Sequence, residues 1–139
     1  MRNIMPDGVW PTMITPFSES GEIDYSALDQ LIDWYIENKV SGLFAVCQSS
    51  EMFYLSLEER IALADFIVKK TGGRVPIVAS GISDSIIDQI EEITRMSETG
   101  INAFVIVSNR LARADESDDI WKKNAEKIIN SIPDDIHFG

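Results

Sequence analysis

Apolar positions along this 139-residue chain alternate between short uninterrupted runs and stretches spaced at helical intervals. Residues 9–15 are apolar and rich in β-formers, and Pro16 with a turn at Ser20-Gly21 breaks the run. Leu28, Leu31, Ile32, Tyr35 and Ile36 follow at the spacing that gives a helix one apolar stripe, behind Asp24 as N-cap. Residues 42–46 are a short apolar run of the kind buried on both faces of a parallel sheet. Ser56-Leu57-Glu58-Glu59 fits a capping box, in which a hydroxyl and a carboxylate each satisfy an amide left open at a helix start. The helix it opens is striped by Leu57, Ile61, Ala64 and Val68, and Gly72-Gly73 ends it. A third strand is predicted over 75–79. Ser85 and Asp88 cap a third helix striped by Ile86, Ile90 and Ile93, with Gly100 just past its end. Residues 103–107 form a fourth strand. Trp121, Ala125, Ile128, Ile129 and Ile132 stripe a fourth helix that stops near Pro133.

This beat describes four βα units of about 30 residues each, hence a parallel α/β sheet with right-handed crossovers. No linker or low-complexity stretch interrupts it, so residues 1–139 read as one domain. Pattern alone admits two closures, an open doubly wound sheet or part of a (βα)₈ barrel. The first βα turn, Thr15-Pro16-Phe17-Ser18-Glu19-Ser20-Gly21, lacks the G-x-G-x-x-G phosphate loop, which argues against dinucleotide binding.

Composition narrows the function classes. Twelve basic against 23 acidic side chains give a net charge of −11, which argues against nucleic acid or an anionic membrane surface as partner. The first 17 residues show no apolar leader core, and no window approaches a membrane span. A lone cysteine, Cys47, excludes an internal disulfide, so the cytoplasm is expected. Cys47 lies at the end of an apolar run with no histidine near it in sequence and reads as a small buried side chain. The acidic run at 115–119 reads as negative charge for a helix N-terminus, and His/Cys spacing gives no zinc site. No metal or cofactor is expected.

Several motifs fall in one order: Gly8, Thr15-Pro16-Phe17, Gly21 through Asp24, Gly42-Leu43-Phe44, Glu51 through Ser56, Glu59-Arg60, and Arg74 through Ala79. In that order the chain resembles the N-terminal half of the dihydrodipicolinate synthase / N-acetylneuraminate lyase family, class I aldolases on a TIM barrel. The resemblance implies a (βα)₄ half of a (βα)₈ barrel, with parallel strands and outer helices. It further implies a Schiff-base lyase or synthase acting on pyruvate or another 2-oxo acid, in which a lysine imine serves as electron sink.

The family's lysine and relay tyrosine belong to the sixth and fifth strands, and the chain reaches only His137-Phe138-Gly139, where the fifth would begin. A whole barrel takes roughly 250 residues. The chain is therefore expected to be a fragment with no catalytic residue of its own, inactive alone. Its lysines (Lys39, Lys69, Lys70, Lys122, Lys123, Lys127) all fall in or beside predicted outer helices.

The family motif Gly-Thr/Ser-Thr-Gly-Glu aligns with Cys47-Gln48-Ser49-Ser50-Glu51, which implies that this loop holds the keto-acid carboxylate. Ser49 keeps the carboxylate-binding hydroxyl. Gln48 replaces the proton-passing one, and Cys47 and Ser50 replace both glycines. Glu51 reads as structural, bonding loop amides or capping the next helix. After the fourth strand the family's Pro-Tyr-Tyr gives way to Ser108-Asn109-Arg110, so Arg110 offers a bidentate anion ligand where a phenol is usual. The substrate-binding candidates are thus Gln48, Ser49, Ser50 and Arg110, in a divergent member of the family.

Four parallel strands leave two open edges and an interior facing water, so pairing with a second copy or a C-terminal barrel half is expected. The alternative reading is a non-catalytic half barrel that dimerises and binds small carboxylates.

Overall fold

The computed structural model describes residues 5–139; the first four residues of the segment read for a leader lie outside it. The elements run α1 (Tyr25–Glu37), β1 (Leu43–Val46), α2 (Leu57–Thr71), β2 (Ile77–Ser80), α3 (Ile86–Ser97), β3 (Ala103–Val105), α4 (Asp118–Ser131) and β4 (His137–Phe138). The four strands form one parallel sheet in the order β1-β2-β3-β4, with Leu43 opposite Ile77, Val78 opposite Ala103, and Ala103 opposite His137. A doubly wound sheet reverses its strand order at a switch point, whereas a barrel does not. Right-handed crossovers, the rule for parallel strands, then put all the helices on one face of this unbroken order. The topology therefore makes the choice that the hydrophobic pattern left open.

The core lies between that face and the helices. Leu43, Ala45, Ile77, Ala79 and Phe104 from the strands meet Leu28, Ile32, Leu63, Ile67, Ile93, Met96 and Ile128 from the helices, all buried. The caps behave as expected. Asp24 accepts the Ala27 amide, Ser56 and Glu59 form the reciprocal box, Gly72 is left-handed, and Ser85 accepts the Asp88 amide.

Three expectations need correction. Residues 9–15 do not form a full strand: the segment meets β1 through one bridge, Thr12 to Phe44, in which Pro11 and Met13 bond Phe44, while the Val9 carbonyl accepts from Ser41 ahead of the strand. Proline at position 11 supplies a carbonyl but no N–H, so the ladder cannot close continuously there. The strand predicted over 103–107 ends at Val105, because Ser108–Arg110 turns into a 3₁₀ helix. Of the predicted α2 stripe only Ala64 is fully buried, and Leu63, Ile67 and Thr71 complete the buried face. Packed against α1, α3 and β1, this helix is covered on more than one side, and Ile61 and Val68 only flank the core.

Candidate functional site

The chain leaving β1 makes two consecutive 3₁₀ turns, Gln48–Ser50 and Met52–Tyr54, before Ser56 caps α2. Glu51 joins them in the left-handed region, at φ 60° and ψ 30°. That conformation costs a non-glycine residue roughly 1 kcal/mol, so the surroundings must hold it. Its role is therefore in the backbone: Glu51 makes no side-chain cap to the turn that follows. Cys47 is extended (φ −152°), and Ser50 is not among the described residues with positive φ. Side chains thus replace glycine at both positions without backbone strain.

Ser50 holds this loop from beneath. It is fully buried, and its Oγ donates toward the carbonyls of Met13 (2.7 Å) and Ala45 (2.8 Å). The same oxygen accepts the Cys47 amide at 3.3 Å and lies 3.3 Å from the Cys47 thiol. From the other side Thr15 Oγ1 donates to the Ser50 carbonyl at 2.7 Å. Of the two serines, Ser50 departs from the expectation of a ligand: its hydroxyl is committed to the protein. Gln48 and Ser49 face solvent, and among the described residues neither side chain takes part in a hydrogen bond. Cys47 is buried, as its apolar setting predicted.

Arg110 belongs to the same end of the sheet, on the 3₁₀ turn after β3. Its guanidinium lies 5.3 Å from the centroid of the Phe53 ring and pairs with Asp84 at 2.9 Å. It lines a cleft of about 230 Å³ with Phe53, Leu55, Arg60, Ile82, Ser83 and Asp84. Arg110 also lines a second cleft, of about 450 Å³, with Asp84, Ile86, its neighbours in residues 109–114, Glu116 and Asn124. Neither cleft is lined by Gln48, Ser49 or Ser50. The structure therefore brings Arg110 against the second turn of the loop, not into a shared pocket with the serines.

Sequence reasoning missed what lies beneath these loops. Glu92 on α3 is buried at 1% exposure and pairs with Arg60 of α2 (Nη1 to Oε1, 2.8 Å). Burial pushes its carboxyl up to about 7, against the opposing pull of Arg60 and a hydrogen bond with the Ile82 backbone. Gln89, one helical turn earlier and also buried, donates to the Gly81 carbonyl at 2.6 Å. The signal was a three-residue spacing of polar groups, Gln89 and Glu92, hidden beside the isoleucine stripe.

Every lysine sits on the helical layer or its ends. Lys69 and Lys122 are exposed and paired with Asp65 and Asp119 on their own helices. Lys70 bridges Asp29 and Asp33, and Asp33 first and then Asp29 hold its ammonium above the usual range. That is opposite to what an imine-forming amine requires. Among the described residues no cluster of His, Cys, Asp or Glu could hold a metal, and no helix is long and apolar enough to cross a membrane.

Comparison with known proteins bears on this geometry. A family model described as the dihydrodipicolinate synthetase family matches residues 5–119. The 4-hydroxy-tetrahydrodipicolinate synthase of Bacillus subtilis (strain 168) is 36% identical over 96 residues, covering 69% of this chain and 33% of the relative. A solved dihydrodipicolinate synthase superposes with a TM-score of 0.84 at 29% identity, covering 94% of this chain and 44% of that one. YagE, a prophage protein of the dihydrodipicolinic acid synthase family from E. coli K12 solved in complex with pyruvate, gives a TM-score of 0.81 at 25% identity. That match covers 90% of this chain and 41% of YagE. The chain thus spans about a third of the curated relative's length and less than half of the solved ones.

Proposed function

The chain belongs to the dihydrodipicolinate synthetase family, as the N-terminal half of its barrel, and from that premise we propose that residues 47–51 form the carboxylate-binding part of a 2-oxo acid site. One observation carries the reading. The loop after β1 presents the uncommitted Ser49 hydroxyl to solvent while Ser50, Thr15 and the left-handed Glu51 fix the backbone beneath it. A preset hydroxyl needs little reordering when it meets an anion, which is how binding energy is conserved. Pyruvate is the 2-oxo acid of choice because a family relative, YagE, was solved with it.

In this reading Ser49 donates to the substrate carboxylate. Gln48, whose amide can donate and accept but does not readily pass a proton, orients the substrate rather than relaying protons. Arg110 serves a distal anionic group of a longer substrate, from the cleft beside Phe53. Imine chemistry requires an amine that these helical lysines do not offer, so the half barrel recognises the acid and a further segment supplies the nucleophilic amine. The same reading has the protein act in the cytoplasm, paired with a second copy or with a C-terminal barrel half.

The test is pyruvate titration followed by NMR on the wild-type chain and on Ser49→Ala. We expect saturable shifts confined to residues 47–51 in the wild type and their loss in Ser49→Ala, with the folded spectrum unchanged. Borohydride added with pyruvate should leave the mass unaltered. Equal pyruvate binding by the two proteins would sink the carboxylate assignment, and a reduced covalent adduct would sink the statement about the lysines.

A further inference from the structure

Beyond the substrate loop, the structure carries a second organised polar cluster that the proposed function does not use. The chain leaving β2 is fastened at two successive residues. Gln89 Nε2 donates to the Gly81 carbonyl at 2.6 Å, and Arg60 Nη1 reaches the Ile82 carbonyl at 3.4 Å. Glu92 engages the Ile82 backbone as well and accepts from the same Arg60 nitrogen at 2.8 Å. Three side chains from two helices therefore converge on one two-residue segment, in a nearly dry setting where Glu92 is 1% and the Arg60 side chain 15% exposed.

The fastening is incomplete. Among the described residues Arg60 Nε and Gln89 Oε1 are buried without a hydrogen-bond partner. A buried donor and acceptor left open cost more than a made bond returns, so the cluster is a place where stability is withheld. Space lies next to it: Arg60 and Ile82 both line the 230 Å³ cleft that Phe53, Ser83, Asp84 and Arg110 complete. An Arg60 released from Glu92 therefore has an open volume to enter, beside Ile82.

We propose that the Arg60–Glu92 pair is a proton-operated latch that sets the position of the loop after β2 relative to α2. With Glu92 ionised, its carboxylate holds both Arg60 and the Ile82 backbone. With Glu92 protonated, Arg60 loses its counter-charge, turns toward the cleft, and lets the segment at Ile82 and Ser83 move.

The charges around the pair leave Arg60 as the one that acts on Glu92. On α3 itself Arg95 is turned to Glu58 and Glu91, and Asp88 is exposed. In the loop after β2, Asp84 is taken up by Arg110. On α2, Glu59 is folded back onto Ser56. On α4, which packs against α3, Lys122 and Asp119 pair with each other in solvent. Burial places the Glu92 transition at about 7, within the range where cellular pH moves.

The experiment is residue-resolved amide exchange from pH 5.5 to 8.5 on the wild-type chain and on Glu92→Gln, corrected for the intrinsic pH dependence of exchange. We expect the Ile82 and Ser83 amides of the wild type to lose protection on acidification with a midpoint near 7, while amides of β1 do not change. In Glu92→Gln the step should be absent. Protection that stays level across the range in the wild type, or a step that persists in Glu92→Gln, overturns the latch. If the variant does not fold, carbon-13 detection of the Glu92 carboxyl in the wild type decides. Titration in step with the Ile82 exchange supports the latch, and titration at the ordinary value of 4.5 overturns it. None of these readouts depends on pyruvate, so the latch and the carboxylate site stand or fall separately.

Discussion

Adjacent serines with the same chemistry do opposite jobs here because one faces in and the other out. Ser50 Oγ sits where two carbonyls and an amide converge, and Ser49 projects into water. Ser50→Ala would leave the Met13 and Ala45 carbonyls buried without this donor, a cost of about 1–3 kcal/mol. Urea unfolding should show that loss, whereas Ser49→Ala should leave the midpoint nearly unchanged. The Glu92 carboxyl makes a prediction with a definite sign. Its folded value, about 7, lies above the ordinary 4.5, so between these values the folded state holds a proton that the unfolded state has released. Stability contributed by that proton is complete below pH 4.5 and is lost as pH rises through 7, by roughly 3 kcal/mol over the window. Glu58, Glu59 and Asp33 act in the opposite sense, since hydrogen bonds hold them below the usual carboxylate range. Their contribution is lost only in more acid solution. Chemical denaturation at pH 5.5 and 8 should find the protein more stable at the lower value, and Glu92→Gln should level the difference.

At the scale of elements, the helix starts follow local rules that tertiary contacts do not disturb. Ser56 and Glu59 satisfy each other's open amides at 3.2 and 2.8 Å, immediately after the two 3₁₀ turns. Ser56→Ala should cost about 1 kcal/mol and fray the first turn of α2, visible as faster amide exchange at Glu58 and Glu59. Strand and stripe assignments depend more on neighbours. The segment at residues 9–15 looks like a strand by composition, yet one missing N–H at Pro11 reduces it to a bridge. Helix α3 carries Ile86, Ile90 and Ile93 as read, but turns Gln89 and Glu92 inward with Ile93 and Met96. The isoleucine stripe alone does not anticipate that, because these side chains are stabilised by Arg60 on another helix and by Gly81 and Ile82 in the preceding loop.

For the molecule as a whole, apolar surface remains exposed at the β4 edge of the sheet. Beside β4, a groove of about 260 Å³ is lined by Ile106, Leu111, Trp121, Ala125, Ile129 and Phe138. Trp121, Ile129 and Phe138 remain 38%, 39% and 50% exposed there, large side chains that a soluble monomer normally covers. Sedimentation velocity of the chain should therefore reveal self-association that grows with concentration, and Trp121→Ser with Phe138→Ser should shift it toward monomer. A monomer at high concentration in the wild type would count against pairing through this face.

The sequence by itself determined the order of elements, their caps, the family and the position of the candidate loop, because these rest on local spacing and on motifs that a linear chain displays. Asp24, Ser56, Gly72 and Ser85 act where their sequence context places them, since capping involves only residues a few positions apart. Tertiary structure decided what depends on distant partners. It set the unbroken strand order that makes a barrel rather than a doubly wound sheet, and it assigned Ser50 to the scaffold and Ser49 to solvent. It also brought Arg60, Gln89 and Glu92 together under the loop after β2. Burial, and with it the ionisation of a carboxyl, is a property of what folds over a residue, and no neighbour in sequence carries that information.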